Sequence, residues 1–351
     1  MKVAIDVSPL SSGHAVRGIG FYTKSLVEGL QSRNDGNEYN LVESEVEIDA
    51  IKPDLIHYPF YDLFFPTAPD RKNIPVIVTL HDVTPLVLPE LFPKGIKGWW
   101  NLRQQLKKLK KMDGVITDSE CSKRDIHSLC NISKEKIETV YLACDPTYKP
   151  ETNTQKLEEV KRKYNLPEKY CIKVGDINKH KNFRVLFDAL TRLPDVHLIL
   201  VGKALDEKSP LVPELKEIVE DIQAFGLQNR VHRLGFVPTE DMNALYSLAR
   251  CTVQNSLYEG FGLTALESMT CGTPVIVGST GSQPEVVGTA GILINPEDVT
   301  ETADAIERMF KLEQDQYDIL KQKSLDQSKK FSVQKMVDET AHIYEKFKPI
   351  H

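Results

Sequence analysis

The sequence contains no apolar run approaching the ~20 residues that a membrane-spanning helix needs. Its first residues, MKVAIDVSPL, pass directly into an alternating strand pattern and not into a secretory leader. Both absences point to a globular, cytoplasmic chain. Cysteine is sparse: the six, at 121, 130, 144, 171, 251 and 271, form no C-x-x-C pair and no zinc-ligand spacing. Reduced core thiols are therefore expected, not a disulfide framework. Asn131-Ile132-Ser133 fits a glycosylation sequon, with no other sign of secretion beside it. Excess positive charge is also lacking. With 44 Lys and Arg against 50 Asp and Glu the net charge is −6, which argues against a general nucleic-acid binder.

What is present is the material of two cores. At 351 residues, 41% hydrophobic and 27% charged, the chain suits two domains of about 150 to 180 residues each. In the first half, KVAIDVS, DLIHYP, IPVIVTL, GVITDS and IETVYLA read as buried strands, with helical patterns between them. The second half repeats the alternation more regularly, through YCIKVGD, VHLILVG, VHRLGFV, CTVQNS, PVIVGS and GILINP. Continuous apolar strands separated by helices imply parallel sheets covered on both faces. The expectation is an α/β chain of two doubly wound, Rossmann-like domains. Residues 1–165 and 166–330 form the two, divided after CDPTYKPETNTQ and a polar helix, and 331–351 form a last helix crossing back to the first. In such sheets ligands sit at the carboxyl ends of strands.

One segment reverses the average charge. KGIKGWWNLRQQLKKLKK, from Lys94 to Lys111, carries seven Lys or Arg, no acid and two adjacent tryptophans. With a helix from Asn101 onward, Leu102, Leu106 and Leu109 form an apolar stripe flanked by basic residues. Two readings follow: a basic helix with interfacial aromatics resting on anionic lipid through Trp99 to Lys111, or a core-packed helix with a solvated basic back and a buried tryptophan.

The stretch NSLYEGFGLTALESMTCGTPVIV, from Asn255 to Val277, places Glu259 before a glycine turn and Glu267 inside the helix that follows. Backbone N–H groups at Gly262, Leu263 and Thr264 make an anion or hydroxyl site, with Gly260 and Gly262 permitting close approach. Carboxylates are poor phosphate ligands but good acceptors for sugar hydroxyls. The combination suits a molecule with phosphate in its middle and a sugar at each end, such as a sugar nucleotide.

SLYEGFGLTALESMTCGTPVIVGSTGSQPEVVG resembles the Glu-x7-Glu signature of the retaining glycosyltransferases of family 4, which have the two-domain GT-B fold. The likeness continues through KVGDINKHKNFRVLFDAL, LILVGK, RVHRLGFVPTEDMNALYSLA and AGILINPEDV, and in the first half through RGIGFYTKSL and TLHDVTPLVLPELFP, similar above all to mannosyltransferase-like members. The resemblance implies that two Rossmann-like domains face across a cleft. It implies that Glu267 holds the ribose hydroxyls, while Glu259 and the backbone from Phe261 through Gly262 and Leu263 to Thr264 hold the transferred sugar and the diphosphate. Lys181 matches the basic residue that neutralises the departing diphosphate. The turn near Val237 contacts the base, mostly through backbone. Gly18 matches the glycine whose backbone approaches the phosphates, His81 matches the histidine facing the transferred sugar, and Lys179, His180 or Arg17 is expected to help Lys181 with the diphosphate charge. The implied catalytic set is thus Glu259, Lys181 and His81. The implied reaction moves a hexose, mannose from GDP-mannose first among the candidates, onto a saccharide or lipid-linked saccharide. It proceeds by front-face attack without a protein nucleophile.

No metal or cofactor is implied. The other large glycosyltransferase fold holds a divalent cation with Asp-x-Asp, and this sequence has none. One position departs from the family. Where many members have arginine after the strand-end glycine, this chain has Asp176, an acid unfavourable beside a diphosphate unless it points away. A nucleotide-sugar-binding protein without transferase activity is the alternative that Asp176 raises. An NAD-dependent enzyme is the other, suggested by GIGFYT at Gly18 with Glu43 beyond. Against it, the third fingerprint glycine is absent and Gly18 lies eleven residues beyond Val7, too far for the tight first turn.

Overall fold

A computed structural model describes residues 1–11, 13, 18–69, 71, 73–206 and 212–348. The chain divides into two compact units: Met1–Ala143 with Phe331–His351, and Cys144–Lys330.

The first unit is built on six parallel strands, β1 (Lys2–Asp6), β2 (Glu38–Val42), β3 (Leu55–Tyr58), β4 (Val76–Thr79), β5 (Gly114–Thr117) and β6 (Ile137–Thr139), in the order β2-β1-β3-β4-β5-β6. Every residue of β3, β4 and β5 is buried, as continuous apolar runs in a doubly covered sheet require. β2, EYNLV, escapes the sequence pattern because it lies at the sheet edge and buries only Val42. The helix Gly95–Leu109 begins six residues before the expected Asn101 and so includes both tryptophans. Leu102 and Leu109 pack into the core as the stripe predicts, but Trp99 and Trp100 are half exposed and Ile96 is more so. The reading with a buried tryptophan is thereby corrected.

The last helix, Val333–Glu345, is capped by Ser332, whose hydroxyl accepts from the Lys335 N–H. It packs on the helix Gly18–Gln31, where a Cβ on Gly29 would lie 2.4 Å from Cγ2 of Val337. Tyr344 reaches the buried His57 Nδ1 at 2.6 Å, and His57 Nε2 meets Thr79 Oγ1 at 2.9 Å. Burial, with His81 nearby, lowers the His57 pKa to about 3, so that imidazole is neutral.

The second unit holds β7 (Tyr170–Val174), β8 (His197–Val201), β9 (Val231–Gly235), β10 (Cys251–Gln254), β11 (Val275–Gly278) and β12 (Ile292–Ile294), all parallel, in the order β12-β11-β10-β7-β8-β9. One face packs Leu198 and Leu200 against Phe187, Leu190, Ile218 and Ile306 of the covering helices. The other packs Tyr170 and Ile172 against Met242, Leu245 and Tyr246 of the helix Thr239–Leu248. Chain order reverses between β7 and β10, so the crevice at their carboxyl ends is the expected ligand position.

Residues 144–165 group with the second unit, so the division lies between Ala143 and Cys144 and not at the expected 165/166. The cause is a polar staple on the helix Thr239–Leu248. Asp241, almost fully buried, accepts from Lys156 at 2.7 Å, Lys163 at 2.6 Å and Tyr164 at 2.8 Å. Burial raises its pKa, but these three donors outweigh it and hold the carboxylate at about 2. Asn243 bonds Lys149 and Thr147, and Ser247 accepts from the Glu151 N–H. The six cysteines are free, five of them buried.

Candidate active site

β7 leads through an exposed loop into a 3-10 turn, Lys179–Lys181, closed by Asn182 in the left-handed region at φ 56°. β10 leads into the loop from Asn255 to Gly262. Because β7 and β10 are neighbours, these two loops meet. Lys181 Nζ lies 2.8 Å and 3.1 Å from the two carboxylate oxygens of Glu259, and both side chains are only slightly exposed. Burial alone would raise the Glu259 pKa. Lys181 and then His180 overcome it and bring the carboxyl down to about 2, so Glu259 is an anion throughout the working range.

The loop carrying Glu259 is held from behind. Ser282 Oγ donates to the carbonyls of Glu259 at 3.0 Å and Phe261 at 2.7 Å. A Cβ on Gly281, itself at φ 62°, would meet the Glu259 carbonyl at 2.6 Å, so only glycine allows this approach. Phe261 is buried, and Gly262, at φ 104°, starts the helix Leu263–Thr270. The N–H groups of Leu263 and Thr264 fall in its first turn, where an α-helix supplies no internal acceptors.

Glu267 stands one turn further on and accepts from Tyr246 Oη at 3.0 Å, with Tyr148 as a second donor. Burial, aided by Asp145, outweighs these hydrogen bonds and raises its pKa to about 7. The two glutamates flanking the helix start thus differ in charge near neutrality: Glu259 is ionised and Glu267 half protonated.

Asp176 is exposed and accepts from the Asn178 side chain at 2.9 Å. Val237 turns its side chain into the core beside Met242 and Tyr246. In the first unit, Gly18 opens the helix Gly18–Gln31, and Arg17 lies outside the described residues. His81 follows β4, and its Nδ1 lies 3.0 Å and 2.9 Å from the two oxygens of buried Asp118, which follows β5. Tyr22, one turn into the Gly18 helix, presents its ring edge-on to His81 at 5.0 Å. Burial lowers the His81 pKa, and Asp118 with Asp82 more than reverses this, leaving it raised.

The structure therefore brings Lys181, Glu259, Phe261, Gly262, Leu263, Thr264 and Glu267 together in the second unit, and Gly18 and His81 onto neighbouring elements of the first. Sequence reasoning missed Asp118, Tyr148, Tyr246 and Lys173. The last had a signal: a lysine interrupts the apolar run YCIKVGD, and the structure buries it at the carboxyl end of β7. Among the described residues no group of three or more His, Cys, Asp or Glu stands close enough to hold a metal ion, and no helix is long and apolar enough to cross a membrane.

Comparison with known proteins identifies the family. Residues 155–326 match the family described as Glycosyl transferases group 1, and residues 39–148 match Glycosyltransferase Family 4. The chain is 32% identical over 278 residues to O-antigen chain mannosyltransferase B of Escherichia coli, covering 76% of this chain and 69% of that protein. Among solved structures it is similar to sucrose-phosphate synthase from Thermosynechococcus elongatus, with a TM-score of 0.80 at 19% identity over 99% of this chain and 98% of that one. It is also similar to Anabaena HepE in complex with UDP-glucose, with a TM-score of 0.74 at 20% identity over 99% and 100% of the two chains. The structural likenesses show the two-domain GT-B fold. Taken with the family matches and the mannosyltransferase relative, they show that this chain belongs to the family 4, group 1 glycosyltransferases and is a glycosyltransferase enzyme.

Proposed function

We propose that the protein moves a hexose, mannose from GDP-mannose, onto a saccharide or lipid-linked saccharide with retention of the anomeric configuration and without a metal. The observation that carries the reading is the Lys181–Glu259 pair at the β7/β10 switch point, beside a glycine-started helix that bears Glu267. Lys181 supplies a fixed positive charge where negative charge grows on the departing diphosphate, helped by the N–H groups of Leu263 and Thr264. Glu259, already ionised, accepts from hydroxyls of the transferred sugar. Glu267, with Tyr246 behind it, accepts from the ribose. The Val237 backbone contacts the base. The acceptor proton passes to the leaving phosphate oxygen, so the protein needs no nucleophile of its own.

Mannose is favoured because the E. coli relative is an O-antigen chain mannosyltransferase; HepE, a more distant neighbour, is seen with UDP-glucose. Thermal shift with GDP-mannose, UDP-glucose, UDP-galactose and ADP-glucose decides the donor, because ligand affinity appears directly as stabilisation. GDP-mannose should give the largest shift, and a larger shift with any UDP-sugar contradicts the nucleotide assignment. Against a non-catalytic binder stands the engagement of exposed Asp176 by Asn178.

The enzyme is further proposed to work at the cytoplasmic surface of the membrane. Ile96, Trp99, Trp100 and Arg103 recur at three-and-four spacing on the exposed side of the helix Gly95–Leu109 and are accompanied by basic residues without an acid. Flotation with anionic vesicles should carry the protein in low salt, whereas zwitterionic vesicles should not. Equal recovery from both contradicts the electrostatic part of this reading.

A further inference from the structure

The proposed chemistry leaves Lys173 without a task. An amine buried in a strand costs several kcal/mol relative to a well-packed apolar residue. A structural position here would accept leucine or methionine. Lys173 Nζ instead donates to Asn255 Oδ1 at 3.0 Å and sits 5.1 Å from the centre of the Phe183 ring. Asn255 is fully buried and passes the connection on, its Nδ2 donating to the Asn182 carbonyl at 2.9 Å. Asn182 in turn donates to the Pro296 carbonyl at 2.5 Å. It closes the turn Lys179–Lys181 and starts the helix Phe183–Thr191. One buried ladder thus joins the ends of β7, β10 and β12 and sets the residue next to Lys181.

The charges facing Lys173 are few. Burial weighs most and lowers its pKa, Lys181 lowers it further, and Glu259 and Asp176 raise it, leaving it at about 7. Glu259 is already engaged by Lys181. Lys181 and Glu259 thus offset one another, with an amine behind Lys181 poised between its two charge states.

We propose that Lys173 is a positioning residue of the diphosphate site, whose nitrogen, held on Asn255, fixes the turn that carries Lys181 and adds a second positive charge behind it when a diphosphate arrives. This rests on the reading of Lys181 as the diphosphate's partner. The negative ligand favours the ammonium, so the amine takes from solvent the fraction of a proton it lacks on binding and returns it on release. Lys173 in this way supplies positive charge that Asp176 does not.

The test is calorimetric titration of GDP and UDP at pH 7.5 in two buffers of different ionisation enthalpy, for the wild type, Lys173→Met and Lys173→Gln. Gln keeps an N–H donor for Asn255 without the charge and guards against misfolding of the Met variant. Glu267 is present in all three, so the difference isolates Lys173. Wild type should take up about three quarters of a proton more than either variant, the fraction missing at half a pH unit above its pKa of about 7. In turnover, Lys173→Met should lose roughly tenfold or more in kcat with donor KM little changed, and Lys173→Gln should recover part of it. Nucleotide binding with the same proton count in all three overturns this inference alone. Failure of both nucleotides to bind any of the three overturns the reading of the site as well.

Discussion

Glu259 and Lys181 are 78 positions apart in the chain and meet because each follows one of the two strands at which the sheet order reverses. The glutamate spacing and the glycine turn were legible in the sequence, since both lie within one short segment. The ion pair was not, because nothing local in either segment says that β7 and β10 are neighbours. Lys181→Ala should lower kcat by about 10²- to 10³-fold, the usual range for loss of a transition-state charge partner, with donor affinity less affected. Steady-state kinetics with the best donor measures this. Asp176→Ala should change kcat/KM by less than about threefold, as befits an exposed side chain engaged by Asn178. A larger loss in the same assay places that acid in the site after all. Glu267 gives a pH signature. Its folded pKa of about 7 lies above the ordinary 4.5, so the native state holds the proton more tightly between those values. The stabilisation is complete below pH 4.5 and is lost as pH rises through 7. Glu267→Gln, which mimics the protonated form, should raise Tm by a few degrees at pH 7.5, and the gap should shrink toward pH 5. Scanning calorimetry at the two pH values checks this, and the same variant should weaken donor binding.

At the scale of elements, the buried strands were readable as apolar runs, whereas β2 was not, because an edge strand with one buried residue carries no such run. The basic helix shows the opposite difficulty. Its leucine stripe correctly identified the inner face, but a stripe says nothing about whether adjacent tryptophans find cover. Both stay half exposed, and Arg103 lies over the Trp99 ring at 5.4 Å. Trp99→Ala with Trp100→Ala should therefore leave Tm within about two degrees of wild type, because little buried area is lost. The same pair should abolish recovery with anionic vesicles. A large drop in Tm with unchanged flotation would show the tryptophans to be packing residues. The Glu259 loop is the stiffer element. Gly281→Ala puts a Cβ 2.6 Å from a backbone oxygen at a positive φ, and should cost on the order of 2 kcal/mol and lower turnover along with stability.

For the whole molecule, the alternation of strand and helix was enough to specify two doubly wound units, because the pattern depends only on burial period. The place of division was not, since it rests on Asp241, Asn243 and Ser247 stapling residues 147–164 to a helix far along the chain. Phe331–His351 completes the first unit, with Tyr344 bonded to His57 and Val337 against Gly29. A chain truncated after Lys330 should thus lose the first unit's cooperative unfolding, and amide exchange should report weakened protection in β3 and β4 while the second unit's strands remain protected. Equal protection in both would contradict that assignment. The central claim concerns activity at the β7/β10 crevice, and transfer of labelled mannose tests it most directly. GDP-mannose labelled in the sugar is supplied with membranes containing saccharide acceptors, and the label incorporated by wild type and Lys181→Ala is compared. Wild type should transfer mannose and Lys181→Ala at least 100-fold less; equal transfer by both, or none by wild type, would contradict the account.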